Sequence, residues 1–143
     1  AARAVGRSGR VVGVDLVECA PLAEATVKLI AGDATDPEVR ARVLAELEGK
    51  ADVVLSDMAP KLSGIRATDS ARHAALVETA IDAACEWLSP AGGLLVKLFS
   101  DAEQGRLVGL LRARFREVRL RRPPSTRQGS AETYAYARGV RSS

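Results

Sequence analysis

Three short runs govern what this chain can fold into: Val11–Leu16 (VVGVDL), Asp52–Ser56 (DVVLS) and Gly93–Phe99 (GLLVKLF). Each is a nearly unbroken series of β-branched and leucine residues, without the alternation of a half-exposed strand. That pattern belongs to parallel strands covered on both faces. Parallel strands need crossovers, and the intervening sequence supplies helices. Pro37–Glu48 places Val39, Val43, Leu44 and Leu47 on one stripe. Asp69–Leu88 does the same with Val77, Ala80, Ile81, Ala84 and Leu88, with Thr68 or Asp69 as its cap and Ser89-Pro90 as its stop. A third helix is predicted over Ala102–Phe115, weakened by Gly105 and Gly109. After Phe115 the period changes to two: Val118 and Leu120 alternate with charges, and Tyr134 and Tyr136 with small residues, so a closing antiparallel pair is expected. The sum is an α/β, doubly wound layout. No repeat or linker interrupts it, and residues 1–143 are expected to form a single domain.

Composition excludes several alternatives. A hydrophobic fraction of 47% with 27% charged residues is that of an ordinary globular core, not of a disordered or collagenous chain. The apolar runs fall far short of the roughly 20 residues that span a bilayer. AARAVGRSGR has no apolar segment of the kind that marks a signal peptide, so no membrane partner is expected and the cytoplasm is the default compartment. Cys19 and Cys85 lack metal-ligand spacing, which predicts buried thiols, no disulfide and no metal. The net charge of +3 conceals an asymmetry: Arg106–Arg141 holds ten arginines and two acids, a surplus of eight, so the remainder carries −5. An arginine-dominated stretch suits a phosphate-backbone partner.

In an open parallel sheet, ligands bind outside the carboxyl ends of the strands. Asp15, Asp33, Asp57 and Lys97 all fall at such ends. Asp15 and Asp33 suit the hydroxyls of a nucleoside-bearing cofactor. Lys97 is the strongest clue, because an ammonium inside so apolar a run must meet a carboxylate or have its pKa depressed. Asp57 and Glu132 are its natural partners; the alternative is an edge-strand lysine whose stem snorkels to water. His73, without a nucleophile elbow or metal-ligand spacing, is expected at the surface. Trp87 is expected in the core, and Tyr134 and Tyr136 on the sheet rather than stacked on bases.

Ser56-Asp57-Met58-Ala59-Pro60 followed by Ser63-Gly64 resembles the FtsJ/RrmJ family of S-adenosylmethionine-dependent RNA 2′-O-methyltransferases. VVGVDL with Asp15, the Gly32-Asp33 pair, LSPAGGLLVKLF with Lys97, and RRPPSTRQGSAETYAYA with Glu132 follow in that family's order, from about Val11 to Gly139. The resemblance implies a Rossmann-like class I methyltransferase, with a mostly parallel sheet, helices on both faces and a C-terminal antiparallel hairpin. It implies a catalytic set of two lysines, an aspartate and a glutamate, of which Asp57, Lys97 and Glu132 match three. Lys97 would be the general base for a ribose 2′-hydroxyl, held and oriented by Asp57 and Glu132. Asp15 would hold the cofactor ribose, Asp33 would face the adenine and Asp57 would lie near the methionine end. Ribosomal RNA or the large ribosomal subunit is the implied partner, with Arg121, Arg122 and Arg127 as phosphate contacts.

Two departures accompany the resemblance. Lys61 stands where the family usually has asparagine after SDMAP. The family's first strand, its Gly-rich loop of the type DLGAAPGGW and the upstream catalytic lysine would precede Ala1, and residues 1 to 10 look like the tail of the following helix. Because that strand lies mid-sheet, its absence is expected to leave two strand edges unpaired. Weak cofactor binding and little activity are expected of these 143 residues alone, and calorimetry checks the former. The competing readings are a non-catalytic RNA-binding or ribosome-assembly module, and a nicotinamide-dependent oxidoreductase that leaves Lys97, Glu132 and SDMAP unexplained.

Overall fold

A computed structural model describes residues 1–123 and 132–142. Its contacts divide the chain into two compact units, Ala1–Lys50 and Ala51–Ser143. The first contains α1 (Ala2–Val5), β1 (Val11–Asp15), β2 (Val27–Ala31) and α2 (Pro37–Leu47). β1 and β2 pair in parallel from Val11↔Val27 to Asp15↔Ala31. Asp36 caps α2 by accepting the Glu38 N–H at 2.9 Å, with Pro37 pre-set for the first turn. The helix buries Val39 and Val43, the start of the expected stripe. β2 is the strand that a search for apolar runs misses: Lys28 interrupts it, and only Ile30 is fully buried.

The second unit contains β3 (Ala51–Ser56), α3 (Arg66–Trp87), β4 (Leu88–Phe99), α4 (Gln104–Arg114), β5 (Phe115–Arg121) and β6 (Glu132–Val140). Its sheet runs β3-β4-β6-β5. β3 and β4 are parallel, and β6 is antiparallel to both β4 and β5. The expected closing pair is present, with β6 placed between β4 and β5. Leu94, Val96 and Leu98 alternate into the core beside Ala135 and Ala137 of β6. Val77, Ala80, Ile81 and Ala84 of α3 and Leu107 and Leu111 of α4 complete it. Among the described residues β1 is bonded to β2 alone and β3 to β4 alone, so the parallel strands lie in two separate sheets, each with an open edge. Among them no helix is long and apolar enough to cross a membrane.

Three local expectations are corrected. α3 begins at Arg66 after Ile65, without a side-chain cap; Asp69 lies inside the first turn and bonds to Ser63 instead. Cys19 is exposed and Cys85 partly so. A thiol carries no burial requirement of its own: Cys19 sits in the β1–β2 connection, and Cys85 lies beside the Arg114 guanidinium, on the charged side of α3. His73 is fully buried rather than at the surface. Its position continues the α3 stripe, four residues before Val77 and eight before Ile81, so helical period outweighs polarity here.

α3 passes into β4 without a loop, and the register shifts between Ala51↔Leu88 and Val53↔Gly93. Gly92 makes this possible. A Cβ there would lie 3.1 Å from the carbonyl oxygens of Ala51 and Asp52 and 2.9 Å from Leu88 Cδ2. Since two of those atoms are backbone, Gly92→Ala should destabilise the protein by about 1–3 kcal/mol. An unchanged urea midpoint would show that the β3–β4 junction relaxes freely.

Candidate active site

The second unit's site is set by strand register. Ser56, the last residue of β3, pairs with Val96, which brings Asp57 beside Lys97. On the other flank β6 pairs Tyr134 with Lys97 and Glu132 with Phe99, so Glu132 approaches on the same side of the pleat. Lys97 Nζ lies 2.8 Å from Asp57 Oδ1 and 3.7 Å from Glu132 Oε1. The lysine side chain is only 12% exposed, against 75% for Asp57 and 41% for Glu132. β4 is an inner strand, so the edge-strand reading of Lys97 is excluded. Of the two outcomes open in the sequence, the lysine meets carboxylates. Its pKa is raised above the ordinary 10.5, chiefly by the hydrogen bond to Asp57, while burial pulls the other way and is outweighed. The result is a cation held between two carboxylates that face solvent. Such a group can donate to an oxygen, and once neutral it can accept a proton.

The loop after Asp57 is tied to α3. Asp69 Oδ1 accepts the N–H and the hydroxyl of Ser63, both at 2.8 Å. These bonds hold the Asp69 carboxyl below its ordinary 3.8. Lys61 is exposed in this loop, and nothing in the structure explains its presence there.

Asp15 and Asp33 lie in the first unit, at the carboxyl ends of its parallel pair. Asp15 ends β1, and Asp33 follows β2 after Gly32, whose N–H bonds to the Asp15 carbonyl at 2.8 Å. Asp15 Oδ1 accepts the Val17 N–H at 3.0 Å. Asp33 Oδ1 accepts the Thr35 N–H at 2.8 Å and the Thr35 hydroxyl at 2.7 Å, which lowers its pKa. Each carboxylate is exposed, and its Oδ1 accepts from the turn that follows its strand.

Several arginines of the basic stretch are bound within the fold, and others are exposed. Arg106 bonds to Glu78 at 2.6 Å and Glu103 at 2.7 Å, Arg114 to Asp82 at 3.0 Å and Arg119 to Glu117 at 2.5 Å. Arg141 Nε donates to the Phe115 carbonyl at 3.0 Å. These serve the fold. Arg121, the last residue of β5, and Arg122 are exposed, with no carboxylate partner among the described residues. Arg127 lies outside the described residues. Tyr136 is 37% exposed and lies across Gly93, on the sheet as expected, and Trp87 is buried.

Sequence reasoning missed His73, whose Nε2 accepts the backbone N–H of Phe99 at 3.1 Å, two residues beyond Lys97. No catalytic spacing marks it; only its place on the α3 stripe could have found it.

Comparison with known proteins identifies the family. The sequence profile of the FtsJ-like methyltransferase family matches residues 1–140. The chain is 43% identical over 142 residues to ribosomal RNA large subunit methyltransferase E of Marinobacter nauticus, covering 99% of this chain and 68% of the relative. It is 42% identical over 134 residues to the protein of that name from Methanothermobacter thermautotrophicus, covering 94% and 64%. A third relative of that name, from Acidiphilium cryptum, is covered over 59% of its length, so the chain spans about three fifths to two thirds of these proteins. Among solved structures, a protein assigned as a ribosomal RNA methyltransferase from Plasmodium falciparum superposes with a TM-score of 0.78 at 20% identity, over 92% of this chain and 72% of that one. An rRNA methylase from Streptococcus thermophilus gives 0.56 at 11% identity, over 92% and 74%. Those two share the fold. With the profile spanning both units and close sequence relatives along nearly its whole length, the chain belongs to the FtsJ-like methyltransferase family.

Proposed function

We propose that this protein transfers a methyl group from S-adenosylmethionine to a ribose 2′-hydroxyl of large-subunit ribosomal RNA. The observation that carries the reading is the Lys97 ammonium set between Asp57 and Glu132, in a chain 43% identical to a ribosomal RNA large subunit methyltransferase E. For the cofactor we assign Asp15, Asp33 and Asp57. The exposed, acceptor-only oxygens of Asp15 and Asp33, at the ends of adjacent parallel strands, fit ribose hydroxyls and an adenine amine. When bound, S-adenosylmethionine supplies an electrophilic methyl on a sulfonium.

The remaining chemistry is the chain's. A 2′-hydroxyl is a weak nucleophile until its proton is taken, and Lys97 Nζ is the acceptor we assign. Asp57 and Glu132 fix where Nζ points, and they also make the amine more basic, so it takes a proton more strongly and is neutral less often. With its pKa raised, the amine is overwhelmingly protonated at pH 7. This fixes the sign of the pH dependence. The active form is the deprotonated one, so the single-turnover rate should climb about tenfold per pH unit from pH 6 to 9, without levelling. A flat profile would remove Lys97 from the rate-limiting proton transfer.

The test uses large ribosomal subunits lacking the modification, labelled S-adenosylmethionine and the full-length protein, with the labelled nucleoside identified after digestion. Label on a ribose oxygen supports the reading; label on a base, or none, refutes it. Arg121, Arg122 and Arg127 are assigned to phosphate contacts. Reversing Arg121 and Arg122 to glutamate should weaken RNA binding across sequences and make the plot of log affinity against log salt shallower by about 2. An unchanged slope would place the RNA elsewhere.

A further inference from the structure

One polar side chain in the second unit's interior is not needed to fill space. His73 is 0% exposed, and its ring stacks on Phe99 with centroids 3.8 Å apart and planes 5° from parallel. Its Nε2 accepts the Phe99 N–H at 3.1 Å, and its Nδ1 is buried without a partner among the described residues. With Nε2 accepting, the neutral ring carries its proton on Nδ1, so a buried donor is left unsatisfied at a cost of about 1–3 kcal/mol. Leucine or phenylalanine would occupy the site without that cost. The compensation lies at the end of β4. β3 stops at Ser56, opposite Val96, and β4 continues for three residues with no strand on that flank among the described residues. There the Phe99 N–H meets the imidazole in place of a strand carbonyl.

The same turn of α3 also anchors the chain just beyond β4. Ser70 Oγ donates to Asp101 Oδ2 at 2.8 Å, and Asp101 Oδ1 accepts the Glu103 N–H at 2.9 Å. Phe99 is the register partner of Glu132 and lies two residues from Lys97. Its backbone position therefore decides how Lys97 and Glu132 meet. We propose that His73 is a positioning residue for the Lys97 site: as a neutral acceptor it fixes Phe99, and through Phe99 the register that holds Lys97 against Glu132 and Asp57. Protonation would turn the acceptor into a donor and set a second cation near Lys97. Burial opposes that protonation and Lys97 adds to the opposition, while Asp101 works against both.

The chain's one histidine and four lysines make both ends of this coupling readable by NMR. In wild-type protein at pH 7, long-range proton–nitrogen correlation should show a neutral ring with Nε2 bare and Nδ1 protonated. A ring protonated on Nε2, or on both nitrogens, overturns the proposal. This measurement needs no variant, so it decides the matter even where a substitution fails to fold. The Lys97 Cε resonance is then titrated in wild type, in His73→Gln, whose amide oxygen can accept the Phe99 N–H, and in His73→Phe, which keeps the stack and loses the acceptor. His73→Phe should titrate at lower pH than wild type, with His73→Gln between them. Identical titrations in all three overturn the proposal. The accompanying rate readout rests on the proposed methyl transfer. There His73→Phe should lower kcat by about 10- to 100-fold with the cofactor KM unchanged, and His73→Gln should recover most of it. The tautomer and the lysine titration stand or fall without that activity, so failure of the one reading is distinguishable from failure of the other.

Discussion

Replacing Lys97 by alanine should reduce methyl transfer by about 10²- to 10⁴-fold, the range over which a positioned general base acts. The fold should survive, because Asp57 and Glu132 are open enough to be solvated once their partner is gone. Lys97→Arg should not rescue. A guanidinium keeps the charge and can bridge two carboxylates, but it does not give up its proton at accessible pH. This comparison separates two roles that the geometry combines. If the site needed only a cation between Asp57 and Glu132, arginine would restore much of the rate; if it needs a proton acceptor, arginine will be as inactive as alanine. Single-turnover kinetics at fixed, saturating cofactor concentration is the measurement, and transfer in Lys97→Ala at near wild-type rate would end the assignment.

Phe115→Ala should produce the largest loss of stability, about 3–5 kcal/mol out of the 5–15 kcal/mol typical of a domain. Phe115 is fully buried and stands where α4 ends and β5 begins, with its N–H turned toward the carbonyl of Leu111. It is also bonded through its carbonyl to Arg141 Nε at 3.0 Å, which ties the end of the chain's last strand to this junction. Truncation leaves a cavity at this fully buried junction of helix and strand. Urea denaturation followed by circular dichroism gives the value; a loss below 1 kcal/mol would mean that the junction repacks. Acid should weaken the protein further. His73 has a folded pKa below its ordinary 6.5, so it takes up protons on unfolding, and its contribution is full above about pH 6.5 and declines as pH falls below it.

Much of this site was legible in the residues because its members are chemically out of place. A lysine in GLLVKLF demands a counter-charge wherever it is buried, and among the few acids near strand ends Asp57 and Glu132 were the natural candidates. β4 itself was legible as an apolar run. β2 was not, since Lys28 breaks the run and most of that strand faces outward. The cap of α3 was misassigned for a related reason: Asp69 has the right chemistry for an N-cap, but the chain had a loop serine for it to hold instead.

Composition suggested an arginine surface for nucleic acid, and the structure divides it. Arg106, Arg114, Arg119 and Arg141 are bound within the fold, and Arg121 and Arg122 remain exposed at the end of β5. Charge counting cannot separate these groups, because pairs such as Arg106–Glu78 and Arg114–Asp82 depend on which residues the packing of α3 and α4 brings together.

By itself the sequence determined the α/β class, the identity of the charged triad and the family, all of which are fixed by residue type and order along the chain. Tertiary structure alone decided that β6 enters between β4 and β5, that Lys97 is therefore an inner-strand cation flanked on both sides, and that His73 accepts the Phe99 N–H on the flank where β3 has ended. The physical reason is that hydrogen-bond register and the satisfaction of a strand's last N–H are set by non-local pairing, which leaves no periodic mark on the residues that achieve it.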